Sequence, residues 1–282
     1  MKVGICTIQR NRGKWIKEWV TFHHVVGITH FYIYLHKCTD NSKEIVTELQ
    51  KIFNIQCFVV NEDTIRPQLV AYEHAYQTFG HEIDWMAFID GDEFLYPSSA
   101  NALTDILKDF EYQKLSALGV YWQCFGSNGH LADPDGLVIE DYSRRAPLDF
   151  PSNRHIKSIV RGGQGHHCIS AGNAHLFKTI YGTVDELMRP IDKGLMSELH
   201  PSYEKIRINH YAVQSRDFFI NFKKRSGAAD AGSDVIREET WWQTYDRNEE
   251  TDTTILRYQA TVKRTLSSLP FTQVHHETNT SN

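Results

Sequence analysis

No C-x-x-C pair occurs in this chain. Its five cysteines, Cys6, Cys38, Cys57, Cys124 and Cys168, are scattered. That excludes a zinc cluster of ordinary spacing and suits reduced thiols in a cytosol. No run of 18 apolar residues exists, so no integral membrane segment is expected. Peripheral attachment to a membrane stays open. The opening "KVGICTI" has no basic stretch leading into an apolar leader, so the expected compartment is the cytoplasm. Neither G-x-x-x-x-G-K-[ST] nor G-x-G-x-x-G is present. Those absences disfavour P-loop nucleotide hydrolysis and the usual dinucleotide fold. The charge balance, 30 Lys and Arg against 35 Asp and Glu, lacks the basic excess of a nucleic-acid binder. No internal repeat or linker divides the 282 residues. One domain over 1–270 is expected, with a polar, disordered tail at 271–282.

What is present is a strong alternation. Lys2 to Ile8 is short, apolar and β-branched, as a buried strand requires. "KWIKEWVTFHHVVG" spaces its apolar residues helically, and Gly27 closes it. "THFYIYLH" reads as strand. The next segment has a turn and cap at Thr39 to Ser42, then Ile45, Leu49 and Ile52 on one helical face. "IQCFVVN" is again strand. "RPQLVAYEHAYQTFG" has Pro67 at a helix start and Gly80 after its end. "WMAFID" is the fourth strand. Such β-α-β-α-β-α-β order implies a parallel α/β sheet whose ligand sits beyond the carboxyl ends of the strands. Residues 1–115 form the expected nucleotide half. The rest is less regular and is expected to hold the acceptor.

At the end of the fourth strand stands "FIDGDEF", Phe88 to Phe94. Three carboxylates beside a core strand need counter-charge or metal. Continued as a strand, the segment would place Asp90 and Asp92 on one face and Glu93 on the other. Two such oxygens suit Mn²⁺ or Mg²⁺ rather than a softer ion. Substrate phosphates commonly complete such a site. The bland alternative is a solvated Asp-Gly turn; its place at the end of a βαβ strand favours the metal.

Four stretches together resemble the metal-dependent glycosyltransferases of the GT-A fold, around glycosyltransferase family 92 and its bacterial relatives related to family 2. They are the segment from Arg10 to Asp40 with its Glu18-Trp19 pair, "FIDGDEFLYP", "WQCFGSNGH", and "INHYAVQSRDFFINFKKRSG". The resemblance implies a mostly parallel sheet flanked by helices, a UDP-sugar donor, Mn²⁺, a hydroxyl acceptor such as a glycan, and inversion. It implies Asp90, Asp92 and His210 at the metal, with His175 and His167 as rivals to His210. It implies Thr7, Gln9, Arg10, Asp40, Asp63, Gln68, Asp90, Lys223 and Arg225 around the nucleotide. The general base is left among Glu93, Asp149 and Asp185. Since many eukaryotic members carry a membrane anchor, a bacterial enzyme is expected. A sugar nucleotidyltransferase and a non-catalytic carbohydrate-binding protein are the alternatives. Trp15, Trp19, His23 and His24 read as packing and caps, and "FGSNGH" as a loop touching sugar or acceptor.

Overall fold

The computed structural model describes residues 1–165, 167–225, 227, 229–230 and 236–270. The expected tail at 271–282 lies outside them. The first half runs β1 (Val3–Gln9), α1 (Ile16–Val25), β2 (His30–Leu35), α2 (Ser42–Leu49), β3 (Ile55–Val59), α3 (Pro67–Phe79), β4 (Trp85–Phe88), β5 (Glu93–Pro97) and α4 (Leu103–Leu107). The second half continues with β6 (Ala117–Cys124), α5 (Val138–Asp141), β7 (Arg144–Arg145), β8 (Ile156–Arg161), β9 (Cys168–Ser170), β10 (Lys178–Thr179), β11 (Thr183–Val184), β12 (Pro190–Ile191) and β13 (Ile206–His210). It ends with α6 (Arg216–Asn221), α7 (Glu239–Tyr245), β14 (Glu250–Thr251) and α8 (Gln259–Ser268).

β3, β2, β1 and β4 lie side by side in that order, all parallel. The expected α/β alternation is therefore present, and α1, α2 and α3 are its crossovers. β8 then enters antiparallel between β4 and β6. β6 is long enough to serve two partners: its start pairs with β11 and its end with β13. β5 adds antiparallel to β13. The result is a mostly parallel central sheet flanked by helices.

Local chemistry explains the crossovers. Pro67 fills the first turn of α3, where its missing N–H costs nothing, after Arg66 turns the chain at φ 53°. Gly27 closes α1 at φ 107°, a conformation that favours glycine. Gly80 does not cap α3 this way; it keeps a right-handed φ and begins a 3₁₀ turn. On α2 the buried apolar residues are Val46 and Leu49, Ile45 is half-buried, and Ile52, beyond the helix end, is exposed.

The Glu18-Trp19 pair turns out to be scaffolding. β5 pairs with β13 on one edge, and α1 serves the other. Trp19 Nε1 donates to the Glu93 carbonyl at 2.9 Å, and His23 Nε2 accepts from Leu95 N–H at 3.1 Å. Burial lowers the His23 pKa to about 3, so the ring stays neutral and keeps that lone pair. Glu18 accepts from the N–H groups of Val138 and Ile139 at 2.8 and 3.1 Å, closing the start of α5 from a distance of 120 residues in the chain. The packing reading of Trp19 and His23 holds, but neither caps the helix: His23 Nδ1 bonds the Trp19 carbonyl within it.

Burial raises the Glu18 pKa to about 8, against the opposing pull of its two backbone donors. A carboxyl with a raised folded pKa stabilises fully below its unfolded value, near 4.5, and that contribution is lost as pH rises through about 8. Glu18→Gln keeps one of the two acceptor contacts, through its single amide oxygen, and does not titrate. Urea unfolding of the wild type and this variant at pH 5 and pH 8.5 should show the variant gaining relative stability at the higher pH. A constant difference would contradict the assignment.

Candidate active site

A cavity of about 440 Å³ opens at the carboxyl ends of β1 to β4, within the range of small-ligand pockets. Gln9 lines it at the end of β1 and Arg10 just after, His36 and Lys37 after β2, Glu62 to Arg66 between β3 and α3, Pro67 and Gln68 at the start of α3, and Asp90, Gly91 and Asp92 after β4. Lys223 and Arg237 close the far wall with Phe218 and Phe222. Six cationic residues reach it: Arg10, Arg12, Lys37, Arg66, Lys223 and Arg237.

The acidic motif does not continue as a strand. Glu93 N–H donates to the Asp90 carbonyl at 3.1 Å, so residues 90–93 form a tight turn between β4 and β5. The expected pairing of faces therefore changes. Asp90 and Glu93 share one ammonium, that of Lys157, at 2.9 and 3.7 Å. Asp92 faces away, to Lys223 and to His210 Nε2 at 3.8 Å. Glu93 Oε2 also accepts from the Asp90 N–H at 2.9 Å, which ties the turn to itself.

Lys157 comes from β8, two residues before Ile159, which pairs with Ala87. Its side chain is 1% exposed. Burial would lower its pKa, but Asp90 and Glu93 outweigh burial and raise it. It therefore stays charged and also donates to the Ala174 carbonyl at 3.2 Å. Burial opposes ionisation of Asp90 as well, yet Lys157 holds that carboxyl below its ordinary range. For Glu93 burial pushes the pKa of the carboxyl well up, against the pull of Lys157. Asp90 is in addition held by Gln68 Nε2 at 2.5 Å and Tyr72 Oη at 3.4 Å. Both of its oxygens thus have protein donors, while 32% of the side chain still faces the cavity.

Asp92 is buried and ionised: burial is outweighed by Lys223, His210 and Arg12, which lower its pKa. His210 ends β13 and packs tilted against Trp122, ring centroids 4.0 Å apart. Burial, the larger cause, and Lys223 lower its pKa to about 3. The ring is then neutral, the form in which imidazole ligates a cation. Its Nδ1 is buried without a partner. Among the described residues no three His, Cys, Asp or Glu converge as a metal group. Asp92 and His210 nevertheless form an oxygen and nitrogen pair that fits Mn²⁺ or Mg²⁺ with phosphate completing the shell.

The remaining expected residues divide. Gln9 is buried at the cavity wall with both amide atoms unpartnered and Gly91 pressed against it. Asp63 and Gln68 line the cavity, but Thr7 and Asp40 do not. Asp40 accepts from Gly13 N–H at 2.8 Å and Ser42 Oγ at 2.6 Å, fastening the loop after β1 to α2. Arg225 borders a small neighbouring cavity with Arg10. His175 bonds the Ile156 carbonyl at 2.9 Å, behind Lys157, and His167 lies beside Ser116 and Tyr181. Asp185 is fully buried and bound to Arg189 at 2.5 Å. Asp149 is exposed. α6 ends at Asn221, and the three basic residues Lys223 to Arg225 form a 3₁₀ turn.

Sequence reasoning missed Lys157, Arg12 and Arg237. A lone lysine in the apolar strand "IKSIVR" was a usable signal for the first. Arg12 donates to the Gly91 carbonyl at 2.9 Å and to Gln214 at 2.5 Å, bracing the turn from below. Arg237 lies in a stretch without periodicity and donates to the carbonyls of Lys223 and Gly227 at 3.0 and 2.6 Å. The "FGSNGH" loop is mostly an anchor: Ser127 and Asn128 N–H groups donate to Asp246 and Asn248 at 2.7 and 2.8 Å, just beyond α7.

The family model of glycosyltransferase family 92 matches residues 1–251. A glycosyltransferase family 92 protein of Oryza sativa subsp. japonica is 27% identical over 56% of this chain and 26% of its own. One of Ricinus communis is 30% identical over 56% of this chain and 28% of its own. The chain thus spans about a quarter of the length of these plant relatives. Among solved structures, Staphylococcus aureus TarS 1–349 in complex with UDP overlaps at TM-score 0.37 and 19% identity, over 57% of this chain and 47% of that one. An overlap of that extent carries no chemical conclusion. No described helix is long and apolar enough to cross a membrane.

Lys157→Met would leave Asp90 and Glu93 buried without their cation. Breaking a buried pair this way costs about 3–5 kcal/mol. Urea unfolding should show a loss of that order, and double substitution with Glu93→Gln should not add to it. A loss below about 1 kcal/mol would contradict the shared-ammonium account.

Proposed function

The chain belongs to glycosyltransferase family 92, and we propose that it transfers a sugar from a nucleotide-diphosphate donor, of UDP-sugar type, to a hydroxyl acceptor such as a glycan. The observation that carries this is the cavity at the strand ends, where Asp90 and Asp92 meet six cationic side chains. The nucleoside lies toward His36, Lys37 and the segment from Glu62 to Gln68. Asp90, held ionised from beneath, accepts a ribose hydroxyl. Arg10, Lys223 and Arg237 face the diphosphate and offset its charge. Gln9 offers its unpartnered amide to the same ligand.

Asp92 and His210 would hold a divalent cation, which supplies Lewis-acid stabilisation of the diphosphate leaving group. The acceptor oxygen attacks the anomeric carbon opposite the diphosphate, the bond from sugar to diphosphate breaks, and configuration inverts. The hydroxyl proton passes to a carboxylate. Of Glu93, Asp149 and Asp185, the first and last are fully buried and engaged, whereas Asp149 is exposed. Its neighbour Phe150 meets Tyr245 edge-on at 6.3 Å, and Tyr245 lies 6.4 Å from His210. None of the three carboxyl groups lines the cavity.

A panel of nucleotide sugars with Mn²⁺, reading release of free nucleotide, tests the proposal. One UDP-sugar should turn over. Asp92→Ala should lower turnover about 100-fold or more, as loss of a charge-stabilising group at the reacting centre does. Arg237→Ala should raise the donor KM about tenfold, the value of a charge-assisted contact. No release with any donor, or full activity in Asp92→Ala, would contradict it.

A further inference from the structure

The two aspartates carry internal cations of different standing. Asp90 is paired with Lys157, whose ammonium is walled in by Asp90, Glu93 and the Ala174 carbonyl. Nothing can reach that ammonium without opening the sheet. Asp92 is paired with Lys223, which comes from a single 3₁₀ turn at the cavity wall and whose side chain is 16% exposed. Its ammonium lies on Asp92 Oδ2 and 5.8 Å from the Trp241 ring. Its backbone carbonyl is held by Arg237. The turn is fixed, and the four-carbon stem above it is the part able to swing.

A divalent cation and an ammonium cannot both lie against one carboxylate at small cost, because like charges at such distances repel by several kcal/mol even when well screened. We propose that Lys223 is the resident counter-ion of Asp92 and exchanges: it leaves Asp92 for the donor's diphosphate as the divalent cation arrives. Lys223 thereby couples the two ligands. Without nucleotide, the cation must displace the ammonium from Asp92. With nucleotide, the diphosphate receives that ammonium, and each ligand strengthens the other by the same factor. Asp90 takes no part in the exchange, since Gln68, Tyr72 and Lys157 already occupy its oxygens. This inference rests on the donor and cation reading given above.

Mn²⁺ binding to the nucleotide-free protein, followed by the electron paramagnetic resonance of free Mn²⁺, tests it without any turnover. Lys223→Met should bind Mn²⁺ about tenfold more tightly than the wild type. Lys224→Met, the neighbour in the same turn, should bind as the wild type does. With UDP added and its own chelation of Mn²⁺ subtracted, affinity should rise in the wild type and much less in Lys223→Met. Equal Mn²⁺ affinity in the wild type and Lys223→Met overturns the exchange while leaving the cation site standing. Equal tightening in both lysine variants overturns it too, as a mere effect of net charge. Absence of Mn²⁺ binding in every chain, with and without UDP, overturns the cation site and the exchange with it. Matching thermal unfolding of the three chains confirms that the comparison is between folded proteins.

Discussion

One buried ammonium organises the centre of this molecule. Lys157 lies beneath the turn that joins β4 to β5 and neutralises Asp90 there, with Glu93 close by. A carboxylate taken from water costs several kcal/mol unless a partner and hydrogen bonds compensate it. Here the compensation is divided. Asp90 keeps its charge because Lys157, Gln68 and Tyr72 all donate to it, while Glu93, whose pKa burial raises, accepts from the Asp90 N–H. That turn aims Asp92 across the cavity. It also presents the Gly91 carbonyl to Arg12, which links it to the loop after β1 and to Gln214 beyond β13. The site is thus built from charges that satisfy one another before any ligand arrives.

The irregular half is attached to this centre by a few directed contacts rather than by sheet alone. Glu18 closes α5, Trp19 and His23 edge β5, and the loop after β6 holds the chain just past α7. Arg207 and Arg145 converge on Asp252, whose pKa falls to about 2 under Arg207 despite burial. These contacts join residues far apart in sequence, so each is a long-range constraint that sets where the far wall of the cavity stands. Lys223, Arg237 and Trp241 owe their positions to that wall. The short motifs that identify the family are therefore largely structural, and the groups that meet the ligand lie among and beyond them.

The first 90 residues were readable because parallel strands and their crossovers leave a clean record. Apolar runs, a proline at a helix start and a glycine after a helix end all stand at their expected places. Beyond that point local pattern gave less. The alternation assumed for Asp90 to Glu93 failed because the Asp-Gly pair turns the chain, and a turn regroups side chains that a strand would separate. Lys157 was visible as an isolated charge in an apolar strand, but its partner lies 67 residues away. Arg237 had no local pattern to mark it. His210 was pointed to only by the resemblance, since a lone histidine in an apolar strand is by itself more often core, and the sheet brings it to 3.8 Å from Asp92. Where burial, not periodicity, sets a residue's role, one sequence shows the residue without its partner.

The central claim is that this cavity holds a nucleotide diphosphate between the strand ends and the wall formed by Lys223 and Arg237. The most direct measurement is a crystal structure of the protein with UDP and Mn²⁺, with anomalous differences collected at the manganese edge. The account predicts a single strong anomalous peak within ligand distance of Asp92 and His210, the diphosphate against Arg237 and Lys223, and Asp90 still bound to Lys157. A nucleotide seated elsewhere, or manganese bound away from Asp92, would contradict it.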